Sequence, residues 1–328
     1  MKYRKLGKQG FDVSEVGLGC WQLGGDWGED ISKEKGFEIL QAAVDSGVRF
    51  FDTADVYGGG KSETILGAYI KNSKTPLKIA TKFGRSAAAY PDKYSKEIMR
   101  TSVLGSLERL GLDSIDLLQL HCIPTRELQK GHVFDWLRDL QSEGLIKHYG
   151  ASVESVDEGL LCLEQEELLS LQVIFNVFRQ KLVNELLPRA QEKGVGIIVR
   201  LPLASGLLTG KFNPETRFAQ NDHRYFNQNG EAFNVGETFA GLPFHKGLEL
   251  VDALKLNYLP ESMSLSDFAL RWILDHPAVS TIIPGASSTI QIKTNAAISE
   301  LNSLDSVLHV QLKSFYTQKV HQHIRGAY

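Results

Sequence analysis

Cysteine is scarce in this chain: Cys20, Cys122 and Cys162 are the three in 328 residues. An odd, widely spaced set is not a disulfide framework, and it fits the reduced thiols of a cytoplasmic protein. Charge of one sign is lacking too. Lys and Arg number 36 against 39 Asp and Glu, a net charge of −3, so nothing here calls for nucleic acid or an acidic membrane surface as partner. Long apolar runs are missing: none approaches the ~18 residues that span a bilayer. The start, Met1-Lys-Tyr-Arg-Lys-Leu-Gly7, has no apolar core of the kind that marks a signal peptide. A glycine is missing where an open dinucleotide-binding sheet would need it, since the first strand reads Gly17-Leu-Gly19-Cys-Trp-Gln22. Gly58-Gly-Gly-Lys61-Ser62 imitates a phosphate loop, but Asp55 stands where that pattern requires glycine. His321 and His323 have no CxxC or HxxxH partner and read as surface residues, so no metal is expected.

What the chain has is a 42% hydrophobic content and a steady alternation of short apolar runs with longer amphipathic ones. Strands are expected at 16–21, 49–54, 77–83, 114–121, 146–152, 171–176, 196–202 and 280–286. Helices are expected near 33–47, 62–72, 95–110, 131–143, 154–165, 183–193, 265–276 and 288–299, several with glycine just past the end, as at Gly47, Gly111, Gly144 and Gly194. These strand–helix units show no composition break, which predicts one α/β domain over 1–328, a closed (β/α)8 TIM barrel. Residues 2–15 read as an N-terminal hairpin and 304–324 as a C-terminal extra helix. Residues 203–262, with the polar, aromatic stretch Asn221–Gly230, are too long for a simple connection and read as a functional loop.

The chemistry gathers at strand ends. Phe50-Phe-Asp-Thr-Ala-Asp-Val-Tyr57 ends a buried strand in a carboxylate, Asp52, and carries a phenol, Tyr57, onto the next loop. A phenol with an ordinary pKa near ~10 serves as an acid at neutral pH if a cation lowers it. Lys82, ending Leu77-Lys-Ile-Ala-Thr-Lys-Phe83, is that cation, and His121 ends Ile115-Asp-Leu-Leu-Gln-Leu-His121. Each residue alone reads more simply as a cap, a solvated strand end or a core group. Four polar residues at adjacent strand ends, on the face where barrel enzymes carry their sites, reverse that reading.

In this order the motifs resemble the aldo-keto reductase superfamily. They are Val16-Gly-Leu-Gly-Cys-Trp21, Phe51-Asp-Thr-Ala-Asp-Val-Tyr-Gly58, Ala80-Thr-Lys82, Asp116-Leu-Leu-Gln-Leu-His121, Gly150-Ala-Ser152, Gly206-Leu-Leu-Thr-Gly-Lys211 and Ile283-Pro-Gly-Ala-Ser-Ser288. The similarity is closest to the bacterial branch with a long insert after strand seven. The resemblance implies reduction of an aldehyde or ketone, a sugar or other small carbonyl, by hydride from a reduced nicotinamide. It implies that Tyr57 donates the proton, Lys82 lowers its pKa, Asp52 holds Lys82 and His121 orients the carbonyl. For the cofactor it implies Ser152 and Gln172 at the amide, Arg200 at the stacking position that is often aromatic, and Pro202, Leu203, Gly206, Leu208 and Lys211 along the following stretch. Gly285, Ser287, Gln291 and Asn295 would hold the far end, and Trp21 would wall the substrate pocket. Val153 stands where the family usually has Asn. NADP(H) is the expected cofactor, with weak discrimination against NAD(H) because Ser287 and Ser288 stand where a basic residue often grips the 2′-phosphate. Two alternatives remain open on sequence: a cofactor-binding regulatory subunit, and a barrel enzyme of other chemistry, such as an isomerase.

Overall fold

The computed structural model describes residues 1–328. Two short strands, β1 (Tyr3–Lys5) and β2 (Asp12–Ser14), pair antiparallel as a hairpin. Eight strands follow: β3 (Leu18–Gly19), β4 (Phe50–Asp52), β5 (Lys78–Phe83), β6 (Leu117–His121), β7 (Tyr149–Ser152), β8 (Ser170–Ile174), β9 (Gly196–Arg200) and β10 (Val279–Ile282). They are hydrogen-bonded in chain order, all parallel. Parallel bridges Val16↔Ile282 and Gly19↔Gly285 join the first strand to the last and close the barrel.

Side chains alternate across each strand, and the two faces have different jobs. Phe51 and Ile79, then Leu118 and Leu120, face outward into apolar layers under the surrounding helices. The inward positions change character along the strands. Phe50, Ala80, Leu117 and Ile198 form a low apolar layer, closed from below by Leu6 and Val13 of the hairpin, all fully buried. Two residues further along the inward face are Asp52, Lys82, Gln119 and Arg200. The register Lys82↔Gln119, His121↔Ser152 and Ser152↔Gln172 carries this polar layer around the barrel. The hairpin plugs the amino end of the barrel, and the polar layer lies at the carboxyl end.

Helix starts follow the sequence signals. Ser32, Ser95, Ser155, Ser264 and Ser288 each accept a backbone N–H bond at an N-cap, and Gly111 and Gly194 end helices in the left-handed conformation.

Three expectations need correction. The first barrel strand is shorter than 16–21: pairing covers only Leu18–Gly19, and Trp21 already opens the turn Trp21–Gly24. The 203–262 segment is not all loop. It includes a helix at Phe244–Asn257, whose buried Phe244, Gly247, Leu248, Val251 and Leu254 fall at helical spacing. A short helix at Thr125–Lys130 was not foreseen. The tail helix is Ser306–Phe315, tightened into irregular turns through His323. No helix is long and apolar enough to cross a membrane.

Candidate active site

Asp52 lies at the centre of the polar layer. Its Oδ1 pairs with the Lys82 ammonium, and its Oδ2 accepts from the side-chain amides of Gln119 and Gln172, each at 2.8 Å. Lys82 also donates to the Thr53 carbonyl at 2.7 Å and to the Tyr57 hydroxyl at 3.2 Å. Both charges are shut off from solvent, with side chains 0% and 2% exposed. A buried pair of this kind persists only where every remaining donor and acceptor is met, and here Thr53, Gln119 and Gln172 meet them.

Tyr57 is reached through Gly58, Gly59 and Gly60, all left-handed, which turn the chain into the helix Lys61–Ile70. Gly24 presses on this turn so closely that a Cβ there would come within 2.5 Å of the Tyr57 backbone. The phenol ring stacks on Trp21 at 5.8 Å and meets His121 edge-on at 5.8 Å.

The electrostatics correct one expectation. Burial pushes the Tyr57 phenol above its ordinary value; Lys82 pulls it down and Asp52 pushes it back up. The cation does not win outright, because burial outweighs it and Asp52 offsets part of it at close range. For Lys82, burial alone would lower the pKa, but Asp52 and Tyr57 together hold it raised. Burial, with Arg85, Lys82 and Arg200 nearby, holds His121 well below the ordinary histidine value, so it is neutral. Its Nδ1 is buried without a hydrogen-bond partner.

These residues open into a cavity of about 790 Å³, within the range of small-molecule and cofactor sites. Of the residues expected from sequence, Trp21, Asp52, Tyr57, His121, Gln172, Arg200, Pro202, Leu203, Gly206, Lys211, Gly285, Ser287, Gln291 and Asn295 line it. Lys82 and Ser152 lie buried just behind, and Ser152 is 3.4 Å from the Gln172 carbonyl oxygen. Leu208 does not line the cavity; its side chain is fully buried in the core. At the far end the Ser287 backbone N–H and hydroxyl both donate to Gln291, at 2.7 and 3.2 Å.

The sequence reading missed a second charged group. Arg85 pairs with Glu154 at 2.5 Å and with Glu237 at 3.0 Å, and Arg200 approaches the same Glu237 oxygen at 3.4 Å. Cys122, Glu154 and Glu237 bring potential metal ligands within 4.8 Å of one another. The two carboxylates are already engaged by guanidinium groups, which leaves a cation no vacancy. Arg85 and Glu154 lie just past strand ends and were legible in principle from that placement. Glu237 comes from the long segment and carried no local signal. Gln119 was legible: it is two residues before His121 on the same strand, and therefore on the same face. The segment also sends His223 against Trp21 and Trp27, at ring distances of 4.8 and 4.4 Å, closing the side of the cavity.

A closed parallel barrel with an Asp–Lys–Tyr–His group gathered at the carboxyl ends of its strands defines a barrel enzyme. The family model "Aldo/keto reductase family" matches residues 15–316, and the chain belongs to that family of NAD(P)H-dependent oxidoreductases. Among relatives, it is 30% identical to the uncharacterized oxidoreductase YqkF of Bacillus subtilis over 98% of this chain and 99% of that one. It is 27% identical to the NADH-specific methylglyoxal reductase of Escherichia coli, over 93% of this chain and 96% of that protein. The structure of the glycerol dehydrogenase AKR11B4 from Gluconobacter oxydans superposes with a TM-score of 0.77 at 26% identity, covering 99% and 98% of the two chains.

Proposed function

We propose that this protein reduces the carbonyl group of a small aldehyde or ketone to the alcohol. Hydride goes to the carbonyl carbon and the Tyr57 proton to the oxygen. The observation that carries this reading is the Tyr57 hydroxyl held at 3.2 Å from a fully buried Lys82–Asp52 pair. An ammonium fixed beside the phenol stabilises negative charge as the proton leaves. Neutral His121, edge-on to Tyr57, is a hydrogen-bond donor for the same carbonyl oxygen and orients it without adding a charge.

The reading includes NADP(H) as cofactor, with NAD(H) as a weaker alternative; when bound, the reduced nicotinamide supplies the hydride. Several observations fit this group. The cavity is long, running from the Tyr57–His121 pair to the N-terminus of the helix Thr289–Ala297, where backbone N–H groups favour a phosphate. Gln22 packs flat on Gly285, where any Cβ would collide with it, and its Oε1 is buried without a partner. Gln172 gives its amide N–H to Asp52 and keeps its carbonyl oxygen facing Ser152, so it is an acceptor for the nicotinamide amide. Arg200 offers a flat guanidinium as platform, and Ser287, Gln291 and Asn295 line the adenosine end. Similarity to a methylglyoxal reductase and a glycerol dehydrogenase supports a small oxygenated substrate.

The test is a panel of small aldehydes and ketones, run with NADPH and with NADH and followed by loss of cofactor absorbance. Turnover of at least one carbonyl, faster with NADPH, is expected. Tight cofactor binding with no turnover of any carbonyl would sink the reading.

A further inference from the structure

Two half-buried guanidinium groups face the cavity beside the Tyr57–His121 pair, and neither is free. Arg85 is engaged by Glu154 and Glu237, and Arg200 by Glu237 and by the Cys122 sulfur at 3.3 Å. The face presented to the cavity therefore counts two positive and two negative charges. A third guanidinium, Arg179, lies behind it, bonded to the backbone carbonyls of Ala240 and Glu154, and does not line the cavity. Glu237 is the pivot: it is 7% exposed, stands between both arginines, and arrives on the segment that follows β9.

We infer that Glu237 sets the charge class of the substrate: together with Glu154 it cancels Arg85 and Arg200, so the site takes neutral hydroxyl-bearing carbonyls and rejects carboxylates. This deepens the proposed carbonyl reduction and rests on it.

The physics is a comparison of two ligands of one shape. A carboxylate entering a dry site loses its hydration, and only an uncommitted cation compensates. Here it would meet guanidiniums already paired and two carboxylates of its own sign, which costs several kcal/mol. A hydroxyl has no such difficulty. It carries no charge and gives up far less hydration on entering a dry site. Asn234, on the same segment and hydrogen-bonded to Glu154 at 3.0 Å, lines the cavity and offers that hydroxyl a neutral amide.

Hydroxyacetone and pyruvate test this, because they differ only in a hydroxymethyl against a carboxylate. The native protein should favour hydroxyacetone in kcat/KM. Glu237→Gln keeps the shape and removes one negative charge. It should narrow that preference by at least about tenfold, mainly through a lower KM for pyruvate. Glu237→Asp should restore the native preference. A purely structural Glu237 would change both substrates alike, and an unaltered ratio in Glu237→Gln would overturn the inference. Should Glu237→Gln fold poorly, Glu154→Gln removes the less buried carboxylate of the same group and should move the ratio the same way. Pyruvate binding read by quenching of Trp21 and Trp27 fluorescence separates this inference from the reaction itself. If the native protein reduces no carbonyl of the wider panel, the proposed function fails. Pyruvate binding at least about tenfold tighter in Glu237→Gln would still uphold the charge assignment, and equal affinity in native protein and variant would refute it.

Discussion

At the scale of single residues, the site is a chain of dependences that starts at Asp52. Gln119 and Gln172 hold one carboxylate oxygen, Lys82 takes the other, and Lys82 alone reaches Tyr57. Lys82→Met leaves Asp52 unpaired beside the phenol. Carbonyl reduction should fall at least ~100-fold, the scale of lost acid–base catalysis. The alkaline limb of any residual activity should move upward, because the one group lowering the phenol pKa is gone. An unmoved limb in a pH–rate profile would show that Lys82 acts only in packing. Asp52→Asn should lower reduction more mildly, through the loosened hold on Lys82, and its alkaline limb should not move upward, because Asp52 itself raises the phenol pKa. At the cofactor end, Ser287→Arg would replace neutral contacts by a charged one of roughly twice the strength. The NADPH-to-NADH ratio of kcat/KM should rise; an unchanged ratio would place the 2′-phosphate elsewhere. Asp52, Lys82 and His121 were legible because strand alternation alone puts them on one face of the barrel. The direction of the Tyr57 pKa was not, because it depends first on how deeply the phenol is buried and then on how far Asp52 offsets Lys82.

At the scale of elements, the segment after β9 decides how the cavity is walled. Leu201, Ala204, Ser205, Phe239 and Ala240 are left-handed without being glycine. Such positions cost of order 1–3 kcal/mol each and persist only where the surroundings enforce them. The segment carries Glu237, Asn234 and His223, yet its reading as loop missed the helix Phe244–Asn257, where Gly247 takes a place on the buried face without an apolar side chain to mark it. Local sequence could not reveal the docking, because His223 meets Trp21 and Trp27 from nearly 200 residues away in the chain. If residues 203–240 close over the cofactor, limited proteolysis should show cleavage there that NADPH suppresses. Equal cleavage with and without it would make the segment a fixed wall. His223 gives this docking a pH dependence. Burial brings its pKa from 6.5 to about 4, so in acid the unfolded chain takes the proton first. Its contribution is complete above pH 6.5 and is lost as pH falls towards 4, roughly 3 kcal/mol over that window. Denaturation of the native protein and His223→Gln at several pH values should show the shallower acid loss in the variant. Identical slopes would mean His223 is not the group responsible.

At the scale of the whole molecule, the barrel separates stability from chemistry. The hairpin closes the amino end with Leu6 and Val13, while every candidate site residue lies at the carboxyl end. The (β/α)8 architecture and both appendages were readable from periodicity, since eight apolar runs separated by capped amphipathic stretches leave few other ways to bury a sheet. Leu6→Ala should lower stability by 2–5 kcal/mol, the usual range for a buried leucine, while kcat per folded molecule stays the same; a parallel loss of kcat would mean the two ends are coupled. The central claim is that the Tyr57 proton goes to the carbonyl oxygen, and Tyr57→Phe tests it most directly, because the ring stays and only the hydroxyl leaves. Single-turnover reduction of a carbonyl substrate, followed by NADPH absorbance, should slow at least ~100-fold in the variant while NADPH binding changes little. Near-native turnover in Tyr57→Phe would contradict it.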